Sequence, residues 1–165
     1  ASAAREDRPA PDALRFGKSQ VLVEGDPSGV AIVAAGICVE AALGAARILR
    51  AEGIDPTIVN ARFIRPLDVD VLLRLARARR AIVTVEEHSI AGGFGSAVLE
   101  ALAGAGVAAR VVRFGIPGAF VGHATQAAQR EECGLDEAGI AKAVRRLIGV
   151  TSRAALGNTT QVRAR

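Results

Sequence analysis

Two carboxylates, a histidine and three glycines lie close together in one stretch of the chain, Glu86-Glu-His-Ser-Ile-Ala-Gly-Gly-Phe-Gly95. Histidine exchanges protons near neutral pH, so Glu86, Glu87 and His88 could form an acid–base group. No nucleophile or metal-ligand partner accompanies them, and Ser89 and Ser96 lack a nucleophile-elbow context. We therefore favour a polar cluster at a domain or subunit interface.

The glycines of the same stretch, Gly92, Gly93 and Gly95, could cradle a phosphate at the start of a helix. Their spacing does not match the dinucleotide pattern G-x-G-x-x-G, and no Lys-Ser/Thr of a P-loop follows. The two glutamates just before them would repel an anion. Glycines that let the backbone turn sharply and pack closely against another domain are the favoured interpretation.

Two arginines and a second histidine are weaker candidates. Arg62 and Arg65 follow an apolar strand and could bind a substrate phosphate, although arginines beside a helix-capping aspartate are more often structural. His123 is expected in a loop, hydrogen-bonded to the backbone. The residues alone therefore predict no catalytic, cofactor-binding or metal-binding group. The predicted interdomain or dimer interface comprises Arg62, Arg65, Glu86, Glu87, His88, Gly92, Gly93 and Gly95.

Short apolar runs and helical stripes alternate along the chain and position these residues. Strands are predicted at Gln20–Val23, Val30–Ala35, Thr57–Val59, Ala81–Val85 and Ala108–Phe114. Helices are predicted around 39–49, after a capping Asp68, around 98–103, at 126–132, and between a capping Asp136 and Gly149. This order predicts a three-layer α/β/α fold with a five-stranded, mostly parallel sheet. The first strand joins the second through a tight turn, so the first strand should run antiparallel to the other strands.

Composition narrows the class of protein. Half of the 165 residues are hydrophobic, and Tyr, Trp and Met are absent, so the core must consist of small aliphatic side chains. The net charge of +4 comes from arginines without interleaved aromatics, which argues against nucleic-acid binding. Cys38 and Cys133 lack metal-like spacing. No apolar run approaches membrane-spanning length, and a cytoplasmic protein is expected. Residues 1–13 are predicted to be a linker or disordered arm, 14–149 the domain, and 150–165 a polar tail.

Three motifs in this order resemble the C-terminal domain of the transketolase superfamily: Asn60-Ala-Arg-Phe-Ile-Arg-Pro-Leu-Asp68, Val85-Glu-Glu-His88 and Ala91-Gly-Gly-Phe-Gly-Ser96. Three more resemble the 1-deoxy-D-xylulose-5-phosphate synthases within it. These are Gly17-Lys18 with Val21-Leu-Val-Glu-Gly25, Gly115-Ile-Pro117 with Phe120-Val-Gly-His123, and Gly134-Leu-Asp136 with Gly139-Ile140. Two positions depart from that family: Gly118 stands where it usually has an acidic residue, and Ala124 where it usually has glycine.

The resemblance implies a parent enzyme that condenses pyruvate with glyceraldehyde 3-phosphate and releases carbon dioxide. Its product feeds isoprenoid, thiamine and pyridoxal synthesis. Thiamine diphosphate and Mg²⁺ would be bound by the two larger N-terminal domains of such a parent, so this chain alone is expected to bind neither and to be inactive. The implied role of this chain is to pack against those domains and extend a homodimer interface.

Two other functions stay open. One is the same domain from a 2-oxo-acid dehydrogenase β-subunit or another transketolase-like enzyme. The other is a self-sufficient α/β module that binds a ligand at its glycine turn.

Overall fold

The computed structural model describes residues 14–149, so the predictions for 1–13 and 150–165 lie outside the described residues. The strands are β1 (Gln20–Val23), β2 (Val30–Ala34), β3 (Thr57–Asn60), β4 (Ala81–Ser89) and β5 (Val111–Ile116). The helices are α1 (Cys38–Ala51), α2 (Val69–Ala78), α3 (Phe94–Gly104), α4 (Gln126–Glu132) and α5 (Glu137–Ile148). None of these helices is long and apolar enough to cross a bilayer.

One five-stranded sheet with the order β1-β3-β2-β4-β5 forms the middle layer. β2 pairs with β3 and β4 in parallel, and β4 with β5 in parallel, whereas β1 pairs with β3 antiparallel. The predicted mixed sheet with one antiparallel strand is thus confirmed. β2 is buried along its whole length because it lies at the centre with helices on both faces.

Two apolar clusters fill the space between the sheet and its helices. On one face, α1 and α5 pack against side chains of the central strands, Ile32 and Val83 among them. On the other face, α2 and α3 cover Ala31, Val33 and Ile82, which alternate with the first set along the same strands. The described chain therefore contains a complete two-sided core.

The helix ends follow the sequence signals in two places and depart from them in one. Asp136 accepts a hydrogen bond from the Gly139 N–H (3.0 Å) and caps α5, and Gly149 ends that helix in the left-handed conformation, as predicted. Asp68 occupies the N-cap position of α2, but its carboxylate makes no hydrogen bond to that helix. It instead binds Lys18 and Ser19, so the predicted capping role of Asp68 is wrong.

Candidate functional site

The carboxyl ends of the parallel strands β2, β3 and β4 meet at one edge of the sheet, called the carboxyl edge below. Ligands and partner surfaces commonly bind α/β sheets at this end. A cavity of about 430 Å³ lies there between the residues after β2, the loop 61–68 after β3, and the end of β4 with its glycine turn. Its lining residues are Ala35, Gly36, Ile37, Ile64, Arg65, Glu86, Glu87, His88, Gly92, Gly93, Phe94 and Ala97.

Strand β4 runs four residues further than the sequence predicted, to Ser89. Glu86, Glu87 and His88 therefore belong to the strand and not to the turn. The pairing of β4 with β5 is irregular at this end. Val85 pairs with Phe114 and Ser89 with Ile116, so the segment between the two pairs is four residues long on β4 but only two on β5. This irregularity bends the end of β4 and breaks the alternation of inward and outward side chains.

Glu86 is a buried carboxylate, with 2% of its surface exposed. Its two oxygens accept hydrogen bonds from the backbone N–H groups of Phe94 (2.6 Å) and Gly95 (2.9 Å), the first residues of α3. A negative charge at a helix N-terminus satisfies otherwise unpaired N–H groups and is stabilised by the helix dipole. The carboxylate thus occupies the position that an anionic ligand of this turn would need.

Three of the predicted interface residues do not lie at the surface of the domain. Glu86, Gly93 and Gly95 are buried inside the domain, and only Gly92 of the three glycines is exposed. A Cβ atom on Gly93 would lie 2.2 Å from Glu86 Oε2 and 2.3 Å from the Ser89 carbonyl oxygen. A valine at position 93 would therefore clash with these atoms within the domain.

Glu87 faces α4. Its carboxylate pairs with Arg130 Nε at 2.6 Å, and both side chains are mostly buried, with 29% and 23% exposed. This ion pair fixes the short α4 to the end of β4. Sequence reasoning missed Arg130, because the partners are 43 residues apart and a single arginine on a polar helix gives no local signal.

His88 is the exposed member of the cluster, and no hydrogen bond or ion pair of its ring occurs among the described residues. It borders the same cavity as Arg65, which is exposed on the neighbouring loop. His123 is also exposed in its loop, but the expected hydrogen bond to the backbone is not found within residues 14–149.

The glycine turn is held from the side by Arg113 on β5. One guanidinium nitrogen donates to the Ile90 carbonyl oxygen (3.0 Å) and to Ser96 Oγ (2.7 Å). Ser96 Oγ also accepts from the Gly92 N–H (3.1 Å). The turn is thus pre-formed by contacts inside the domain.

Arg62 does not join the cavity. Its guanidinium donates to Gln20 Oε1 (2.6 Å) and its backbone N–H to Asn60 Oδ1 (2.9 Å), in a left-handed conformation with φ of 57°. Six of the eight predicted interface residues therefore line one cavity, whereas Arg62 and Gly95 lie within the fold. The sequence missed the apolar members of the surface, Ile37 and Ile64, which are 52% and 48% exposed.

Within residues 14–149 no group of three or more histidine, cysteine, aspartate or glutamate side chains could hold a metal ion. Burial raises the pKa of the Cys38 thiol to about 11, and the nearby Glu87 charge adds to this effect. The thiol is therefore protonated at neutral pH and is neither a nucleophile nor a metal ligand there. The Glu86 carboxylate occupies the glycine turn at the start of α3, so this turn does not fit the diphosphate group of thiamine diphosphate.

Comparison with known proteins identifies the fold family. The model of the transketolase C-terminal domain matches residues 17–140. The chain belongs to this family. It is 46% identical to 1-deoxy-D-xylulose-5-phosphate synthase of Syntrophus aciditrophicus (strain SB) over 155 residues, which cover 93% of this chain and 23% of the relative.

Two further similarities support this assignment. The 1-deoxy-D-xylulose-5-phosphate synthase 1 of Geobacter sulfurreducens is 49% identical over 131 residues, or 79% of this chain and 20% of the relative. A solved structure described as a split gene transketolase, inactive beta4 tetramer, superimposes with a TM-score of 0.75 at 39% identity, over 83% of this chain and 44% of the other. The chain thus spans about a fifth of the length of the synthases it resembles.

Proposed function

We propose that this chain is the non-catalytic C-terminal domain of a 1-deoxy-D-xylulose-5-phosphate synthase. The observation that carries the proposal is identity of 46–49% to synthases of this name over most of the chain. The parent would condense pyruvate with glyceraldehyde 3-phosphate and release carbon dioxide. Thiamine diphosphate would supply the carbanion chemistry of that reaction when bound elsewhere in the parent.

In the parent, this chain would contact another domain or subunit through its carboxyl edge. Three features support an interface over a small-molecule site. The Glu86 carboxylate already fills the start of α3, the turn is pre-formed by Arg113, and the cavity is bordered by exposed Ile37 and Ile64. Apolar side chains rimmed by polar groups such as Arg65 and His88 are typical of protein–protein contacts. Extension of a homodimer interface is part of the proposal.

The test compares two proteins. The full-length protein that carries this sequence and the 165-residue chain are each incubated with pyruvate, glyceraldehyde 3-phosphate, thiamine diphosphate and Mg²⁺. We expect deoxyxylulose phosphate from the full-length protein and none from the chain. Product from the chain alone would contradict the non-catalytic role, and a full-length protein that forms none would contradict the parent's assignment.

The same domain of a 2-oxo-acid dehydrogenase β-subunit or another transketolase-like enzyme is the nearest alternative, because the fold alone does not separate these parents. Product analysis with the full-length protein decides between them. A self-sufficient module that binds a ligand at the glycine turn is less well supported, since the N–H groups of Phe94 and Gly95 are already occupied.

A further inference from the structure

Strand β5 lies at one edge of the sheet, and within residues 14–149 only β4 pairs with it. The Ile82 N–H donates to the Arg110 carbonyl oxygen (2.9 Å), so the even-numbered residues of β5 turn their backbone groups toward β4. The N–H and C=O groups of Val111 and Arg113 therefore point away from the sheet, and no hydrogen bond of these groups occurs within the described residues. The outer edge of β5 is free to pair with a further strand.

The edge of β5 also lacks the usual protection against such pairing. Proteins commonly blunt an edge strand with lysine or proline, and the sequence of β5, VVRFGI, contains neither. Its one charged side chain, Arg113, is directed into the domain, where it donates to the Ile90 carbonyl oxygen and to Ser96 Oγ. An added strand would therefore meet no charged side chain that guards the edge.

A hollow of about 740 Å³ lies between β5 and α5. Val112 and Phe114 stand on the α5 side of the sheet and form its floor, and Ala143 and Leu147 of α5 form part of its wall. This hollow is the edge groove. Alternate side chains of a strand that pairs with β5 would project into it, because side chains on one face of a sheet stand side by side.

The end of the edge groove beside the start of β5 is basic. Arg145 binds Glu52 at the end of α1 (2.6 Å), so the last turns of α5 lie where the parallel strands begin. Arg110, Lys142 and Arg146 line the groove, are exposed, and have no acidic partner within residues 14–149. Lys142 and Arg146 are four residues apart on one helix and repel each other. An anionic group of a ligand would relieve this repulsion.

The opposite end of the edge groove is acidic. Leu135 and Ile116 border one cavity, so α5 begins beside the end of β5. Glu131 and Glu132 precede α5, line the groove, and have no cationic partner in the part of the chain that the structure describes. Asp136, which caps α5, lies at this end too. The charge along the groove therefore changes sign between the start and the end of β5.

We propose that the edge groove binds an extended segment of a partner protein, which adds to β5 as a sixth, antiparallel strand. In the antiparallel direction the first residue of the segment lies beside the glutamates and its last residue beside the three cations. The segment should therefore be basic at its first residue, acidic at its last, and apolar at the alternate positions that face the groove. This inference goes beyond the proposed function and does not depend on the identity of the parent.

A second copy of the chain fits the edge groove less well. A two-fold contact between copies brings identical surfaces together. Two hollows would then face each other, and neither would be filled. A single extended segment instead supplies both the backbone groups for the β5 edge and the side chains for the groove.

The experiment uses three synthetic heptapeptides with blocked ends. KVTVTVE has the proposed charges, with valines for the groove and threonines on the opposite face, where they pair with Val111 and Arg113. KVTVTVK places a lysine at the basic end, and KVPVTVE lacks one N–H that pairs with β5. We expect KVTVTVE to bind the 165-residue chain at least tenfold more tightly than either control in calorimetry, with the largest amide NMR shifts at Val111 and Arg113. Absence of saturable binding, or equal affinity for KVTVTVE and either control, would overturn the proposal.

Charge reversal identifies the basic end. A chain with both Lys142→Glu and Arg146→Glu should prefer KVTVTVK over KVTVTVE, whereas Arg77→Glu, an exposed arginine on α2, should leave the original preference unchanged. If the double reversal lowers the melting temperature, Lys142→Ala with Arg146→Ala replaces it and should remove the preference between the two peptides. An original preference that survives in a folded variant of this pair would overturn the proposal.

Two further measurements separate this proposal from its alternatives. KVTVTVE should bind the full-length protein that carries this sequence as tightly as it binds the chain, and loss of binding there would overturn the proposal. Amide shifts at Val111 and Arg113 that grow with chain concentration in the absence of peptide would also overturn it, in favour of a second copy. Synthase activity is measured on the same full-length sample, so peptide binding without that activity rejects the proposed parent and retains the edge groove.

Discussion

The carboxylate of Glu86 and the backbone N–H of Phe94, 2.6 Å apart, join the end of β4 to the start of α3. Because Glu86 also binds the Gly95 N–H, one buried side chain fixes the start of α3 at the end of the glycine turn. The turn at the carboxyl edge is thus a structural element closed by its own chain, and the surface available to a partner is the cavity beside it.

Removal of this carboxylate should destabilise the chain. Glu86→Ala leaves two buried N–H groups unpaired, and each unpaired group costs about 1–3 kcal/mol, so we expect a loss of about 3 kcal/mol in the free energy of unfolding. Urea denaturation of the 165-residue chain measures it. Glu100→Ala, an exposed glutamate on the same helix, is the control and should change stability by less than about 0.5 kcal/mol. Equal effects of the two variants would contradict the capping role.

Gly93→Ala should also destabilise the isolated chain, because its Cβ would lie 2.2 Å from Glu86 Oε2 and 2.3 Å from the Ser89 carbonyl oxygen. The backbone at 93 has φ of −84°, so the effect arises from contact and not from a left-handed conformation. Overpacking of this kind costs about 1–3 kcal/mol. Gly104→Ala at the other end of α3, where a Cβ meets nothing within 4 Å, is the control and should be neutral or slightly stabilising. Thermal denaturation of both variants tests the difference, and a neutral Gly93→Ala would contradict the close contact.

The glycine turn should not bind phosphate. Two of its N–H groups already face the Glu86 carboxylate, and a second anion there would meet a buried negative charge. Millimolar phosphate or thiamine diphosphate should therefore leave the amide NMR shifts of Gly92, Gly93, Gly95 and Ser96 unchanged. A denatured sample controls for nonspecific effects. Saturable shifts at these four amides would revive the ligand-binding alternative.

The types of nearly all elements followed from periodicity, because burial on two faces imposes apolar runs on strands and apolar stripes on helices. The antiparallel direction of β1 followed from the length of its connection. The C-terminal end of β4 and the roles of Glu86 and Asp68 did not follow from the sequence pattern. Charged residues that follow an apolar run usually indicate the end of a strand and the start of a turn. Glu86 is nevertheless buried, because its carboxylate accepts a hydrogen bond from the N–H of Phe94 at the start of α3, eight residues later. The partners of Asp68 are about 50 residues away, and no local pattern reveals them.

Asp68 should contribute stability through the N-terminal strap, residues 14–19, and not through α2. Asp68→Ala removes its bonds to Lys18 and Ser19, so we expect a loss of about 2 kcal/mol, within the usual range for bonds to a charged group. Asp70→Asn is the control, since Asp70 pairs with the same lysine but is 85% exposed, and it should cost little. Hydrogen exchange locates the effect: in Asp68→Ala the strap amides should exchange faster while those of α2 stay protected. Faster exchange at the start of α2 alone would restore the capping interpretation.

The same carboxyl group predicts a dependence on pH. Burial disfavours the charge of Asp68, but hydrogen bonds from Ser19 and the Lys18 ammonium outweigh it and lower its pKa below the ordinary value of 3.8. A carboxyl group whose pKa is lower in the folded state than in the unfolded state stabilises the fold at pH values above its unfolded-state pKa. This stabilisation is lost as the pH falls through the folded-state pKa. The difference in stability between the native sequence and Asp68→Asn should therefore be constant from pH 5 to 7 and shrink below about pH 4. Urea midpoints at several pH values measure it, and a difference that persists unchanged at pH 2 would contradict the charge's contribution.

Cys38 should be the slower-reacting of the two thiols. It is 2% exposed, and burial together with the Glu87 charge raises the pKa of its thiol to about 11, so only about one molecule in a thousand carries the thiolate at pH 8. Cys133 is half-buried, and burial raises the pKa of its thiol as well, but its sulfur is more accessible. Titration of the folded chain with a chromogenic disulfide at pH 8 should therefore show one reactive thiol, which Cys133→Ser abolishes and Cys38→Ser retains. In denaturant both thiols of the native sequence should react at similar rates. Rapid reaction of Cys38 in the folded Cys133→Ser chain would show that the start of α1 opens to solvent, and would contradict the closed packing of α1 against the sheet.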